Sequence, residues 1–281
     1  MARNQSKTAM VTGSGSGIGK AVSQRLAQEG YTVFGGVINQ QEAESAKISI
    51  KGDYHPILID VRNETNVAAA YQQVDEILGG RPLDLLFNAA GIITNGPLVD
   101  LDDGTFSNVL AVNVIGTHNV SRAFLPALKR ASRSTIINMS SASGTRTLPF
   151  TGAYSASKFG VEALTTAMRL EFSPFNVAVT AIAPGLINTP MASKIQSDLK
   201  KRPSDPVYDI PLKRFLEGTE KSSQRGIPME RVVSIILVVA TARKPKPRYE
   251  LHNNYFRDVV LMRILPHSLR EAAIRKTLSI G

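Results

Sequence analysis

The chain has 281 residues, 43% of them hydrophobic, which is enough apolar surface for one large α/β domain with a substantial core. It contains no cysteine, so a disulfide framework, thiol catalysis and thiolate metal sites are excluded. Its net charge of +10 is gathered late: residues 1–190 carry 15 Lys and Arg against 14 Asp and Glu, and residues 191–281 carry 18 against 9.

A basic C-terminal part on a near-neutral body fits an anionic partner or a solvated basic surface. Met1 to Lys7 is short and polar, which does not read as a signal peptide. The chain has no apolar run of the roughly 18 residues that a spanning helix needs. A cytoplasmic protein is the expectation.

Thr8 to Val11 is a short apolar run that reads as a strand. Thr12-Gly-Ser-Gly-Ser-Gly-Ile-Gly19 comes next, then an amphipathic helix from Ile18 to Glu29. Strand, glycine loop and helix form the context of a dinucleotide fingerprint. Gly13, Ser16, Gly17, Ile18 and Gly19 are its candidate binding positions, because glycines admit a tight turn and the helix start offers amide donors to a pyrophosphate.

Tyr31 to Val37 reads as the second strand and ends in Val37-Ile38-Asn39, with neither acid nor base at the place that separates NAD from NADP. Asn39 either bonds a ribose hydroxyl or forms a turn. His55 to Val61 is the third strand. Asp60, beside Val61, either bonds an adenine amino group or caps the segment beginning Asn63-Glu64, and Thr65 to Leu78 is helical. Leu83 to Phe87 is the fourth strand, running into Asn88-Ala89-Ala90-Gly91, whose small side chains let a ligand approach.

Asp103 to Ala131 is a long helical stretch with Asn113 among apolar neighbours; local evidence favours a core amide bonded to backbone. Thr135 to Met139 is the fifth strand, ended by Ser140-Ser141, and Val177 to Ile182 the sixth, before Ala183-Pro184-Gly185-Leu186-Ile187-Asn188-Thr189-Pro190. Strands and helices alternate throughout, which predicts a doubly wound parallel sheet of about seven strands with helices on both faces. There is no domain-scale linker, so residues 1–281 read as one domain.

Tyr154 to Phe172 is a helix that opens on Tyr154-Ser-Ala-Ser-Lys158. Tyr and Lys four apart share one helix face. A free phenol has a pKa of about 10, and a nearby ammonium favours its ionised form. The pair is suited to moving a proton to or from an alcohol oxygen. After residue 190, Met191 to Pro228 is rich in Lys, Ser and Pro with weak apolar periodicity, as a substrate lid would be. Met229 to Ala242 is an apolar helix, Arg243 to Arg248 a stiff basic linker, Tyr249 to Leu251 a short seventh strand, and Asp258 to Gly281 an amphipathic tail interrupted by Pro266.

Taken together, the glycine loop at 12–19, Asp60-Val61, Asn88 to Gly91, Asn113, Ser141, Tyr154 to Lys158 and Pro184 to Thr189 resemble the short-chain dehydrogenase/reductase family. The resemblance implies a Rossmann fold and an NAD(P)-dependent enzyme acting on CH–OH groups. It makes Tyr154 the acid/base and has Lys158 lower its pKa and bind the nicotinamide ribose. It has Ser141 bond the substrate oxygen and Asn113 hold a water that links Lys158 to solvent. Pro184 and Gly185 would lie against the cofactor, with Ile187 and Thr189 binding the carboxamide. Hydride passes directly between cofactor and substrate carbon, so no metal is implied.

Phe34 to Asn39, Thr241 to Tyr249 and Leu265 to Leu269 resemble the retinol and 17β-hydroxysteroid dehydrogenase branch. That branch implies a lipophilic secondary alcohol or ketone and NAD, with NADP as the alternative. A homodimer or homotetramer and peripheral membrane contact through the basic 243–281 extension are further expectations. The competing reading is a non-catalytic dinucleotide sensor on the same fold. The tail has few aromatic residues to stack bases, so no nucleic acid is expected.

Overall fold

The computed structural model describes residues 6–187, 205–252 and 264–280. Seven strands pair in parallel in the order β3-β2-β1-β4-β5-β6-β7. They are β1 (Thr8–Val11), β2 (Thr32–Val37), β3 (Tyr54–Leu58), β4 (Leu85–Asn88), β5 (Ser134–Met139), β6 (Val177–Pro184) and β7 (Arg248–Leu251). The central strands are buried along their whole length, as parallel strands covered on both faces must be.

Neighbouring side chains on each strand feed opposite cores. On one face Val11, Phe87 and Ile137 pack with Val22 and Leu26 of α1 (Gly17–Gln28) and with Val232 and Ile236 of α8 (Met229–Thr241). On the other, Met10, Leu86 and Ile136 pack with Val67 and Val74 of α3 (Glu64–Leu78) and with Val120 and Phe124 of α5 (Gly116–Leu128). The first and fourth strands lie side by side at the centre, so the chain reverses direction across the sheet there. That topological switch point opens a crevice at the carboxyl ends of β1 and β4.

Four differences from the sequence expectations have physical causes. Strand β3 stops at Leu58, three residues short of the expected Val61; it is an edge strand, which is where Pro56 can be accommodated. Helix α2 (Gln40–Ser49) carries no apolar stripe, burying only Ala43 and Ala46, so periodicity gave no sign of it. The long helix is α4 (Asp103–Leu110), a π-helical turn at Ala111–Ile115, and then α5. In the lid segment, α7 (Asp209–Gln224) is a regular helix whose Pro211 falls in the first turn, where the ring is tolerated.

A third, smaller apolar cluster joins Leu212 and Phe215 of α7 to Phe150 and to Leu278 of α9 (His267–Leu278). Helix α9 starts directly after Pro266. Ile210, an apolar residue of the 191–228 segment, points to solvent and is 62% exposed. Met191, Ile195 and Leu199, and the tail residues 253–263, lie outside the described residues. No helix among the described residues is long and apolar enough to cross a membrane.

Two glycines inside β2 leave room for close neighbours, Gly35 for the Tyr54 ring and Gly36 for the Ile59 side chain. A Cβ on Gly35 would collide with the Tyr54 ring, which lies across the strand and brings its hydroxyl to Ser14 at 2.8 Å. Ser14 donates in turn to Ser23 at 2.9 Å, tying the glycine loop to α1. Gly35→Ala is therefore expected to destabilise the protein by about 1–3 kcal/mol through overpacking. Urea unfolding measures this, and wild-type stability would show that the Tyr54 ring can give way freely.

Candidate active site

The glycine loop closes the crevice from the β1 side. Gly13 has φ +67°, and a Cβ there would sit 2.9 Å from the Cα of Ala90. A Cβ on Gly19 would run into the Gly13 carbonyl, so this glycine lets α1 lie against the turn. Thr12 Oγ1 accepts from the amides of Ala89 and Ala90, both at 3.0 Å, stitching the two strand-end loops together.

Ser16 precedes α1 in extended conformation and offers no side-chain cap. The amides at Gly17, Ile18 and Gly19 thus stand at an uncapped helix start, suited to a phosphate. Asn88 is buried, its Nδ2 donating to Ser121 Oγ and Asn138 Oδ1 at 2.9 Å each.

At the end of β2, Asn39 caps α2 by accepting from the Glu42 amide at 2.8 Å. That leaves its Nδ2 to donate elsewhere. Sequence reading found no acid here, but Glu42 supplies one from α2. Its carboxylate accepts from the Ile38 amide at 3.3 Å and lies where a Gly15 side chain would go. The signal was hidden because the acid is carried on a helix whose existence the sequence did not announce.

Asp60 does not cap α3; Asn63 does, accepting from the Asn66 amide. Asp60 instead pairs with Arg62 at 2.7 Å, and the guanidinium holds its carboxyl below the usual carboxylate range. Val61 is buried against Gly116, and its carbonyl accepts from Asn119 at 3.1 Å.

The catalytic candidates come together beside this crevice. Tyr154 and Lys158 lie in the first two turns of α6 (Gly152–Glu171), and Ser141 sits just past β5. Asn113 occupies the π turn, a distortion often found at functional positions. Its Oδ1 accepts from the Ile92 amide at 2.8 Å, and its Nδ2 donates to the Ile92 carbonyl and to Ser157 Oγ, both at 2.9 Å. Ser157 passes its own proton to the Tyr154 carbonyl at 2.7 Å. A Cβ on Gly91 would lie 3.2 Å from Asn113 Oδ1 and 3.7 Å from Lys158 Nζ, so that loop reaches the same place.

Lys158 is 4% exposed and donates to the Met139 carbonyl at 2.8 Å. Burial pushes its pKa down to about 8, against the opposing charge of Glu162. Its Nζ stands 5.6 Å from the centre of the Tyr154 ring. Tyr154 lies deep in the protein while part of its ring stays open to the cleft. Burial raises its pKa, and the hydrogen bond with Ser141 opposes this more weakly. Burial is thus the dominant influence on the phenol in this structure.

Pro184 ends β6 opposite Leu251, and the Gly185 amide donates to the Leu251 carbonyl at 2.8 Å. Ile187 bridges to Ile227, bringing the chain just before the 191–228 segment alongside that segment's far end. Thr189 lies outside the described residues.

Comparison with known proteins agrees with this geometry. Residues 7–200 match the model of the family described as short chain dehydrogenase. A 3-ketodihydrosphingosine reductase of Bacteroides thetaiotaomicron is 31% identical over 86% of this chain and 86% of its own length. An NADPH-dependent 3-dehydrocapnine reductase of Ornithobacterium rhinotracheale is 28% identical over 96% of each. Human 17-beta-hydroxysteroid dehydrogenase type 6 is 35% identical over 69% of this chain and 61% of its own. With its seven-stranded doubly wound sheet and these relatives, the chain belongs to the short-chain dehydrogenase/reductase family of oxidoreductases.

Proposed function

We propose that the chain moves a hydride between a nicotinamide dinucleotide and a lipophilic secondary alcohol or ketone. The observation that carries this is the meeting of Tyr154, Lys158, Ser141 and Asn113 beside an uncapped glycine-loop helix start at the sheet's switch point. The cofactor, when bound, supplies or accepts the hydride. Gly13, Ser16, Gly17, Ile18 and Gly19 would hold its pyrophosphate, and Asn39, Asp60, Val61, Asn88, Ala89 and Gly91 would lie along the way to the nicotinamide. Lys158, Pro184, Gly185 and Ile187 would complete that end, with Thr189, outside the described residues, expected to join them.

In the reducing direction the neutral Tyr154 phenol gives its proton to the carbonyl oxygen, and the Ser141 hydroxyl holds that oxygen in place. Lys158, charged when Tyr154 loses its proton, stabilises the phenolate left behind. Tyr154→Phe should lower kcat by about 10²–10⁴ with cofactor still binding, since only the proton is lost. Lys158→Ala should damage both turnover and cofactor affinity. A Tyr154→Phe enzyme with a tenth of the wild-type rate would refute the mechanism.

Glu42 favours NAD over NADP. Its carboxylate can accept from ribose hydroxyls, whereas a 2′-phosphate brought beside it would meet a like charge. Because one relative is NADPH-dependent, both cofactors are assayed. A lipophilic substrate is supported by the relatives, whose names include a 3-ketodihydrosphingosine reductase and a 17-beta-hydroxysteroid dehydrogenase. The 191–228 segment would form the lid.

A steroid ketone, a long-chain 3-ketone, retinol and short polar alcohols, assayed with both cofactors, test the two points together. The lipophilic compounds should lead in kcat/KM and NAD should be preferred. Glu42→Gln should move that preference toward NADP by roughly tenfold or more. Preference for NADP, or for short polar alcohols over every lipophilic compound, would overturn the respective claim.

Assembly as an isologous dimer or a dimer of dimers is supported by large apolar side chains left exposed on the long helices, among them Ile115, Phe159 and Leu170. Peripheral contact with anionic lipid is proposed through the basic tail, where Leu269 is 56% exposed on the helix that carries Arg275 and Lys276. Light scattering of the protein, alone and with anionic liposomes at low salt, should show a dimer or larger and then liposome-bound protein. A monomer, or no liposome binding, would refute the corresponding point.

A further inference from the structure

Beneath the catalytic loop lies a nearly buried ion cluster for which the roles assigned so far have no use. Glu162 comes one turn after Lys158 on α6. Its carboxylate accepts from Ser140 Oγ and, at 2.9 Å, from Arg248 Nε. Arg248 opens β7. Its Nη2 donates to the Ser141 carbonyl at 3.3 Å, and its Nη1 faces the Glu250 carboxylate. The side chains of Glu162, Arg248 and Glu250 are 19%, 16% and 9% exposed.

With Lys158 the cluster holds two cations and two anions. The loop above it is packed down tightly: a Cβ on Gly144 would stand 2.8 Å from Ser140 Oγ, 3.0 Å from Glu162 Cγ and 3.1 Å from the Lys158 carbonyl.

Buried ion pairs are a poor source of stability, since apolar groups of the same volume do as well or better. What they offer is direction. One guanidinium, with its nitrogens in a fixed planar fork, reaches Glu162 on the catalytic helix and the Ser141 backbone at the same time. Glu162 also grips the hydroxyl of the preceding serine. The loop carrying Ser141 is thereby tied to the helix carrying Tyr154.

We propose that Arg248 and Glu162 are positioning residues, which fix the Ser141 hydroxyl relative to Tyr154 and so set the turnover rate without touching substrate. The proposal rests on the catalytic roles given to Ser141 and Tyr154. A lysine at 248 keeps the charge beside Glu162 but cannot donate along two fixed directions, so Arg248→Lys is the informative change.

The probe is whichever lipophilic ketone of the panel gives the highest kcat/KM. Arg248→Lys and Glu162→Gln should each lower kcat roughly ten- to a hundredfold, as small misplacements of reacting groups do, while cofactor affinity by fluorescence titration stays near wild type. Added to Ser141→Ala, Arg248→Lys should cost little more, because a hydroxyl that is absent cannot be misplaced.

Losses that multiply in the double variant, or a kcat left at the wild-type value in either single variant, overturn the proposal alone. Should Arg248→Lys fail to fold, the same cycle is run with Glu162→Gln, judged by the same outcomes. An active Tyr154→Phe enzyme would overturn the underlying mechanism, and the proposal with it.

Discussion

The structure depends on one close approach, that of the loop after β1 to the loop after β4. Thr12 accepts two amides from Ala89 and Ala90 with a single hydroxyl oxygen, and Gly13 turns where a side chain would strike Ala90. At Gly13 backbone lies against backbone, and the short Thr12 hydroxyl bridges the rest. The placing of the uncapped helix start and of the second loop depends on this contact. The helix start faces the crevice because Gly19 lets α1 lie on the turn, and the Gly91 end of the second loop arrives beside Asn113 and Lys158. A parallel sheet creates this meeting point only where the strand order reverses, so the site's location is a consequence of topology before it is one of chemistry.

The sequence made the fold legible where a single strong rule operates. Continuous apolar runs bounded by glycine gave the strands to within a few residues. The glycine loop and the Tyr–Lys spacing gave the two halves of the site. What stayed hidden lacks such a rule. Helix α2 is polar nearly all round, held by its Asn39 cap and two buried alanines, so the Glu42 it carries toward the glycine loop could not be placed. The Arg248–Glu162 pair spans 86 positions, and no local pattern records a contact of that length. Asn113 was legible as a buried amide. The π turn that aims it at Ile92 and Ser157 was not, because its residues look like those of the regular helix on either side.

Opposed electrostatic effects meet at Tyr154 and Lys158. Removing each from water favours its neutral form, which raises the phenol and lowers the amine. The start of α6 and the Ser141 hydroxyl favour the phenolate, and Glu162 favours the ammonium. Burial is the larger effect at both. In the mechanism proposed above, the phenol gives its proton to a carbonyl oxygen in the reducing direction; in the alcohol-oxidising direction it must first lose one, and a cationic Lys158 lowers the cost of doing so.

The division between the shared scaffold and the chain beyond it also says where selectivity should reside. The family match ends at residue 200, and by then every strand but the last, both strand-end loops and all four catalytic candidates are in place. The apolar cluster over Phe150 is made chiefly from residues beyond that point, Leu212 and Phe215 on α7 and Leu278 at the end of α9. Phe150 itself has φ +67°, a conformation costly for a bulky side chain, and it lies four residues before Tyr154. Its backbone is held by the Gly96 amide, and its ring stacks edge-on against Phe215 and Tyr208. Helix α7 thus bears on a residue that leads into α6, so packing beyond the family match reaches to within four residues of Tyr154.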